Sequence, residues 1–285
     1  MIDLHTHSTA SDGTDTPAEL VRAAAGAGLR VVAITDHDTT GGWDAAVAAL
    51  PAGLTLVRGA ELSCVSHAVP GRVRTTLHLL AYLFDPFHPT FVAERRSLRE
   101  SRLERGQQIV ERMEADGLPV DWPAVRELAG DGTVGRPHIA RALVRAGVVG
   151  SVDEAFGRLL HPSSPYYVPK ADLEVLTAVR LVRSAGGVPV FAHPLARRRG
   201  RVVLPEVIAE MADAGLAGLE ADHPDQDPAD RAEVRALAQS LGLFVTGSSD
   251  YHGSNKIVRL GQEGTAQESY ERIVAEATGL EPVVG

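Results

Sequence analysis

The chain has 285 residues, 44% of them hydrophobic, with 28 basic against 37 acidic side chains and a formal net charge of −9. That length allows two domains, although α/β barrels of this size are commonly one, and the acidic balance argues against coating long duplex nucleic acid, where affinity comes from neutralised phosphates. The single cysteine, Cys64, excludes an internal disulfide framework, no apolar run reaches the ~20 residues that span a bilayer, and the start from Met1 to His5 lacks a basic-then-apolar signal, so a cytoplasmic protein with no membrane contact and no obligate protein partner is expected.

In chain order, short β-rich runs occur at Ile2 to Leu4, Val31 to Ile34, Leu54 to Val57, Leu77 to Tyr82, Val188 to Ala192, Gly218 to Glu220 and Phe244 to Thr246, predicting seven strands. Helical patterns lie between several of them: Ala18 to Gly28, with Thr16 as N-cap and Pro17 in the first turn, then Trp43 to Leu50, Leu173 to Ala185, Pro205 to Ala214 and Pro228 to Leu241. Alternating strands and helices imply parallel pairing through right-handed crossovers, hence an α/β barrel or a doubly wound sheet. The segment from about Thr90 to Lys170 carries helical periodicity without a strand. It reads as a mainly helical insertion, residues 90–170, placed to cap a barrel made of residues 1–89 and 171–285.

Six of the eleven histidines and three acidic residues fall at or just after the apolar runs, in the order His5, His7, Asp12, His37, Glu61, His78, His193, Asp250, His252. Side chains two apart on an extended strand point the same way, so His5 with His7, and Asp250 with His252, can each face one cation. Imidazoles and carboxylates suit zinc, manganese or iron, and nine candidates are too many for one ion but fit two or three sharing a bridging carboxylate. Candidates on several different strands converge in a barrel, which makes a closed or nearly closed barrel the better of the two folds.

The residues His5-Thr-His7-Ser, Ser11-Asp12-Gly13, Ile34 to Asp38, Gly59-x-Glu61, His78, Ala192-His193-Pro194 and Ser249 to Gly253 resemble the PHP (polymerase and histidinol phosphatase) family of metal phosphoesterases nearly end to end. Within it, Gly135-Arg136-Pro137-His138, Tyr167 to Lys170, His223-Pro224 and Asn255-Lys256 look like the stand-alone branch acting on nucleoside monophosphates, 3′,5′-bisphosphates and short RNA 5′ ends. The resemblance implies a distorted (β/α)7-type barrel with two or three divalent ions (manganese, zinc or iron, with magnesium an alternative). His5, His7, Glu61 and Asp250 would hold one ion. Glu61 would bridge to a second held by His78 and His193, and Asp12, His37 and His252 would hold a third. Two departures stand out: Ser248 replaces the usual glycine before Ser249-Asp250, which keeps every ligand, and Ala221-Asp222 replaces an expected valine-tyrosine pair before His223.

Metal ions around a phosphate activate water and neutralise developing charge, so no nucleophilic side chain is needed, and the sequence has no Gly-x-Ser-x-Gly motif. Glu61, His193, Asp250 and His223 are the catalytic candidates, with His223 as general acid or substrate contact. Arg136, at the start of a helix from Ile139 to Ala146, can grip phosphate bidentately; with His138, Lys170 and His223 it forms the expected substrate-binding set, although such arginines are often only solvated. Asp36 and Asp38 either orient ligands or cap the turn. The run Arg197-Arg198-Arg199-Gly-Arg201 reads by default as a solvated charge run that could also attract an RNA tail. Arg95, Arg99 and Arg102, interleaved with glutamates on a helix from Phe91 to Met113, read as an ion-paired surface. The expected function is hydrolysis of a nucleotide phosphate monoester, most favourably the 3′-phosphate of a nucleoside 3′,5′-bisphosphate, with 5′-3′ processing of short RNA beside it. Histidinol-phosphate hydrolysis, or an inactive structural module, are the alternatives.

Overall fold

Four-residue runs that are buried on both faces set the parallel part of the sheet. Val31–Ile34 and Val188–Phe191 are buried throughout. The structure, a computed structural model, describes residues 1–67 and 74–285. Its elements are β1 (Ile2–Asp3), α1 (Pro17–Gly26), β2 (Val31–Ile34), α2 (Trp43–Ala48), β3 (Thr55–Ser66), β4 (Thr75–Tyr82), α3 (Pro89–Ala115), α4 (Trp122–Ala129), α5 (Arg136–Arg145), α6 (Val152–Arg158) and β5 (Leu173–Glu174). There follow α7 (Val175–Ser184), β6 (Val188–Phe191), α8 (Pro205–Asp213), β7 (Gly218–Asp222), α9 (Pro228–Ser240), β8 (Phe244–Gly247), α10 (Gln267–Glu276) and β9 (Val283–Val284). Among the described residues no helix is long and apolar enough to cross a membrane.

The main path of the sheet runs β1-β2-β3-β4-β6-β7-β8, with β5 and β9 both pairing β3. The two ends approach through a parallel bridge between Thr6 and Tyr251 and the bonds His7 N to Tyr251 O (2.8 Å) and Thr265 N to Ile2 O (2.9 Å). The result is the nearly closed barrel that the strand pattern predicts. One expectation fails: β4 is antiparallel to both β3 and β6. The cause is the length of β3, which runs on to Ser66 and leaves no room for the crossover of a dozen or more residues that a parallel neighbour needs. Register Ser63↔His78 follows, and the reversed strand carries its N-terminal half to the end of the barrel where its parallel neighbours finish.

Alternation along the strands builds two apolar layers. Val32, Leu56, Leu79 and Phe191 pack under α1, α7 and α8, while Ile2, Val57, Leu80, Tyr82, Val190 and Phe244 form the other layer with Ile273 of α10. Helix α1 starts as its sequence requires, with Thr16 and Glu19 in a reciprocal capping box and Pro17 in the first turn. The predicted helix from Leu173 instead opens with two strand residues, because β5 pairs Cys64 and Val65, and Glu174 then caps Thr177 N at 2.9 Å. Helices α3 to α6 enclose an apolar cluster of their own, including Val110, Met113, Ile139 and Leu143. Arg95 and Arg102 correct the surface reading of α3. Both are buried, Arg95 bonding Thr40 Oγ1 (2.7 Å) against Phe84 and Phe91, and Arg102 pairing Asp38. Charged side chains seven apart on that helix face the barrel, so the interleaved glutamates do not partner them.

Candidate metal centre

His5 and His7 follow β1 in an extended segment anchored between them by Thr6, whose Oγ1 donates to Ala33 O at 2.6 Å. Their Nε2 atoms therefore converge, 3.1 Å apart. His37 sits just beyond β2 in a parallel bridge with Glu61 of β3. His193 follows β6, and Asp250 and His252 follow β8. All are buried except His78, which is partly exposed. The two oxygens of Glu61 look in different directions. Oε2 lies 3.2 Å from His5 Nε2, 3.1 Å from His7 Nε2 and 3.2 Å from His37 Nδ1, whereas Oε1 lies 2.7 Å from His78 Nδ1 and 3.2 Å from His193 Nε2. Asp250 Oδ1 is 3.4 Å from both His5 Nε2 and His7 Nε2. Asp12 faces His252 Nε2 at 3.4 Å with one oxygen and His37 Nε2 at 3.7 Å with the other.

These groups fit divalent cations. His37 Nδ1, His78 Nδ1 and Asp250 Oδ1 make no hydrogen bond despite burial and close neighbours, an arrangement that costs free energy unless something else engages the lone pairs. Burial disfavours charge on every carboxylate here, yet neighbouring imidazoles hold Asp12 and Glu61, and Lys256 with His5 holds Asp250, well below the usual carboxylate range. Burial and the Arg199 guanidinium push His193 down to about 3, and burial also lowers His37 and His252, leaving neutral donors. At His5 the carboxylates of Glu220, Glu61 and Asp250 outweigh burial and raise the pKa well above its ordinary value. Four compact sets emerge among the described residues: His5, His7, Glu61 and Asp250; His7, Asp12, His37 and His252; His5, Glu220 and His223; and His37, Glu61 and His78, with His193 on the same Glu61 oxygen as His78.

Further side chains hold these groups in place. Glu220, on β7 and fully buried, lies 3.0 Å from His5 Nδ1 and accepts from His193 N at 2.8 Å and from Ser248 Oγ. Asp36 accepts from Ser8 N, Ser8 Oγ and Ser11 Oγ at 2.7 to 2.8 Å, and Ser11 Oγ meets His7 Nδ1 at 3.4 Å. Asp38 instead binds Ser63 N (2.7 Å) and Arg102. Asp38, His193 and Asp250 all carry left-handed φ values of 56°, 32° and 52°, strain of the kind that gathers at functional sites.

The expected substrate residues lie in two places. His223 joins the cluster, its Nε2 3.2 Å from Asp250 Oδ2 while Nδ1 accepts from Asp225 N, which puts the proton on Nε2. Arg136, His138 and Lys170 lie in the helical segment. Arg136 donates to Leu160 O at 2.9 Å and covers the Phe156 ring, His138 Nδ1 accepts from Gly135 N, and Lys170 pairs Asp172. Asp222, in the position of the expected aromatic, pairs Arg235. Sequence reasoning missed Glu220, beside His5 and His193, and Arg102, which pairs Asp38, as members of the site region. A charged residue inside an apolar β run was the available signal for Glu220. Arginines repeating at helical spacing gave none that separates a buried face from a solvated one.

A nearly closed barrel with a buried cluster of imidazoles and carboxylates at one end defines a candidate polynuclear metal centre. The PHP domain profile matches residues 3–113. The chain is 35% identical over 253 residues to a 3′,5′-nucleoside bisphosphate phosphatase of Chromobacterium violaceum, covering 88% of this chain and 87% of that one. It is 33% identical over 261 residues to a 5′-3′ exoribonuclease of Haemophilus influenzae, covering 91% and 93%. A crystal structure from Bifidobacterium adolescentis, assigned as a metal-dependent phosphoesterase, superposes with a TM-score of 0.89 at 36% identity, over 97% of this chain and 96% of that one. The chain belongs to the PHP family of metal-dependent phosphoesterases.

Proposed function

We propose that the protein hydrolyses phosphate monoesters of nucleotides, with a nucleoside 3′,5′-bisphosphate losing its 3′-phosphate as the favoured reaction and short RNA 5′ ends as further substrates. The observation that carries the reading is the split carboxylate of Glu61, one oxygen toward His5, His7 and His37 and the other toward His78 and His193. In this reading His5, His7, Glu61 and Asp250 hold one divalent ion, Glu61, His78 and His193 a second, and Asp12, His37 and His252 a third, with manganese, zinc, iron and magnesium as the candidates. Bound ions supply an activated water and neutralise phosphoryl oxygens. Around them the protein orients ligands through Glu220 and Asp36 and keeps water out by burial. His223 carries its hydrogen at Nε2 beside Asp250, where it can donate a hydrogen bond to a phosphoryl or leaving oxygen.

Support for a second phosphate comes from the segment at residues 90–170, which we read as a cap. Arg102, Arg105, Arg136 and Lys170 cluster there. Asp38 and Asp172 pair Arg102 and Lys170. Arg105 donates to Val168 O at 2.7 Å and Arg136 to Leu160 O, and neither forms an ion pair among the described residues. Burial together with the neighbouring Arg136 pushes Arg105 down to about 9. Unneutralised guanidinium groups in a desolvated position call for an anion.

The test is kcat/KM for a nucleoside 3′,5′-bisphosphate, the matching 3′-monophosphate and histidinol phosphate, on protein whose metal content has been measured. The bisphosphate should lead both. A lead for histidinol phosphate would overturn the nucleotide reading and leave the phosphoesterase class standing.

A further inference from the structure

The arginine run after His193 divides into members with different fates. Arg197 donates to Asp230 (2.9 Å) and Glu233 (2.8 Å) of α9, fastening the turn to the barrel wall. Arg198 is exposed and forms no ion pair among the described residues. Arg199 turns inward. Its Nη2 donates to Asp250 Oδ2 at 2.6 Å, its Nε to Asp225 at 2.5 Å, and its Nη1 lies 3.1 Å from His193 Nε2. One guanidinium thus spans two ligand candidates on different strands, with its side chain 32% exposed while Asp250 is 2% exposed. It stands at the mouth, between the buried cluster and solvent.

Charge decides what it is for. Asp250 Oδ2 receives Arg199 and also Lys256 Nζ at 2.5 Å, with His223 Nε2 at 3.2 Å. The other oxygen, Oδ1, makes no hydrogen bond and faces His5, His7 and His252, each at 3.4 Å. Asp250 therefore serves the cluster with one oxygen and two full cations with the other. Asp225 offsets one of those cations. A carboxylate that also ligates an ion cannot neutralise the second, so the rim carries positive charge directed at whatever occupies the mouth.

We propose that Arg199 binds the phosphoryl group of the substrate at the mouth of the cluster, held ready by Asp225 and Asp250. The assignment rests on the phosphoesterase reading and adds to it a residue from the turn after β6, separate from the helical segment that carries Arg136. A guanidinium is suited to the task because it offers two parallel N–H donors to two phosphoryl oxygens. Asp225 on Nε leaves both terminal nitrogens free to exchange Asp250 and His193 for those oxygens.

The experiment compares wild type, Arg199→Ala, Arg199→Lys and Arg198→Ala after metal reconstitution. It reads metal content, calorimetric affinity for inorganic phosphate, and kcat/KM on a phosphate monoester. Arg199→Ala should retain its metal and lose about 10- to 150-fold in phosphate affinity, the range for a hydrogen bond to a charged group. Arg199→Lys should recover part of that loss. Arg198→Ala, which removes the same charge from the same turn, should bind phosphate as wild type does. Unchanged phosphate affinity in Arg199→Ala, or an equal loss in Arg198→Ala, overturns the assignment. Wild-type protein that is metal-loaded yet neither binds phosphate nor releases it from any monoester would instead overturn the phosphoesterase reading beneath it.

Discussion

His78 stands opposite Ser63 in the β3–β4 ladder, and its Nδ1 atom lies 2.7 Å from Glu61 Oε1. The contact exists only because β4 runs against its neighbours. It completes the second face of Glu61, which makes this carboxylate the most consequential group in the cluster. Glu61→Gln should abolish nearly all turnover while circular dichroism and melting show a retained fold. Most of kcat surviving at saturating metal would remove Glu61 from its bridging position.

Arg136→Ala should raise KM for a nucleoside 3′,5′-bisphosphate by about 10- to 150-fold, from a charge-assisted contact of about 1.5–3 kcal/mol. Metal content should not change, since Arg136 bonds Leu160 O and touches no ligand. The matching 3′-monophosphate should be affected much less. Equal losses on both substrates would show that the residue supports the cap rather than a second phosphate.

Arg102→Ala should destabilise the protein by about 3–5 kcal/mol in denaturant titration, because it strands the buried carboxylate of Asp38. Arg102 beside it holds Asp38 well below the usual carboxylate range against the cost of burial. The stabilisation is therefore present above the unfolded carboxylate pKa and is lost as pH falls through the folded one. The gap between wild type and variant should narrow under acid conditions. An unchanged gap from pH 7 to pH 3 would assign the loss to packing.

Removing divalent metal with a chelator should lower the melting temperature, since the bound ions no longer offset the carboxylates of Asp12, Glu61, Asp250 and Glu220, which are buried together. Readdition at 100 times the dissociation constant should restore about 2.7 kcal/mol per independent site. Identical melting with and without metal would mean that the cluster holds no ion in the native state.

What the sequence made legible follows from how local each signal is. Seven strands and the helices around them were readable because apolar runs and caps such as Thr16-Pro17 are written within a few residues. The nine ligand candidates were readable because paired spacings and strand ends announce direction. The direction of β4 was not. It depends on the reach of β3 past Val57, and Leu62, Cys64 and Val65 alternate with polar neighbours too weakly to extend the run by eye. Glu220 looked like the end of a strand, and its role appears only once His5, 215 residues away, lies 3.0 Å from it. Arg102 and Arg199 share that difficulty, since an arginine's spacing does not reveal whether a carboxylate waits at its tip.

The helical segment meets the barrel at a crossing with the loop that carries Asp12. Thr133 N donates to Ala10 O at 2.9 Å, and a Cβ on Gly132 would come within 2.3 Å of Thr9 O. Gly135 follows, so close to Asp12 that its own Cβ would stand 3.5 Å from the carboxylate. The segment is therefore not a detachable cassette. A helical segment transplanted from a relative must bring a glycine to this crossing, and any change in its seating angle reaches Asp12 directly. If the segment acts as the proposed cap, exchanging it to alter specificity would then also alter metal occupancy at the ion that Asp12 holds in the proposed scheme, and the two traits would vary together.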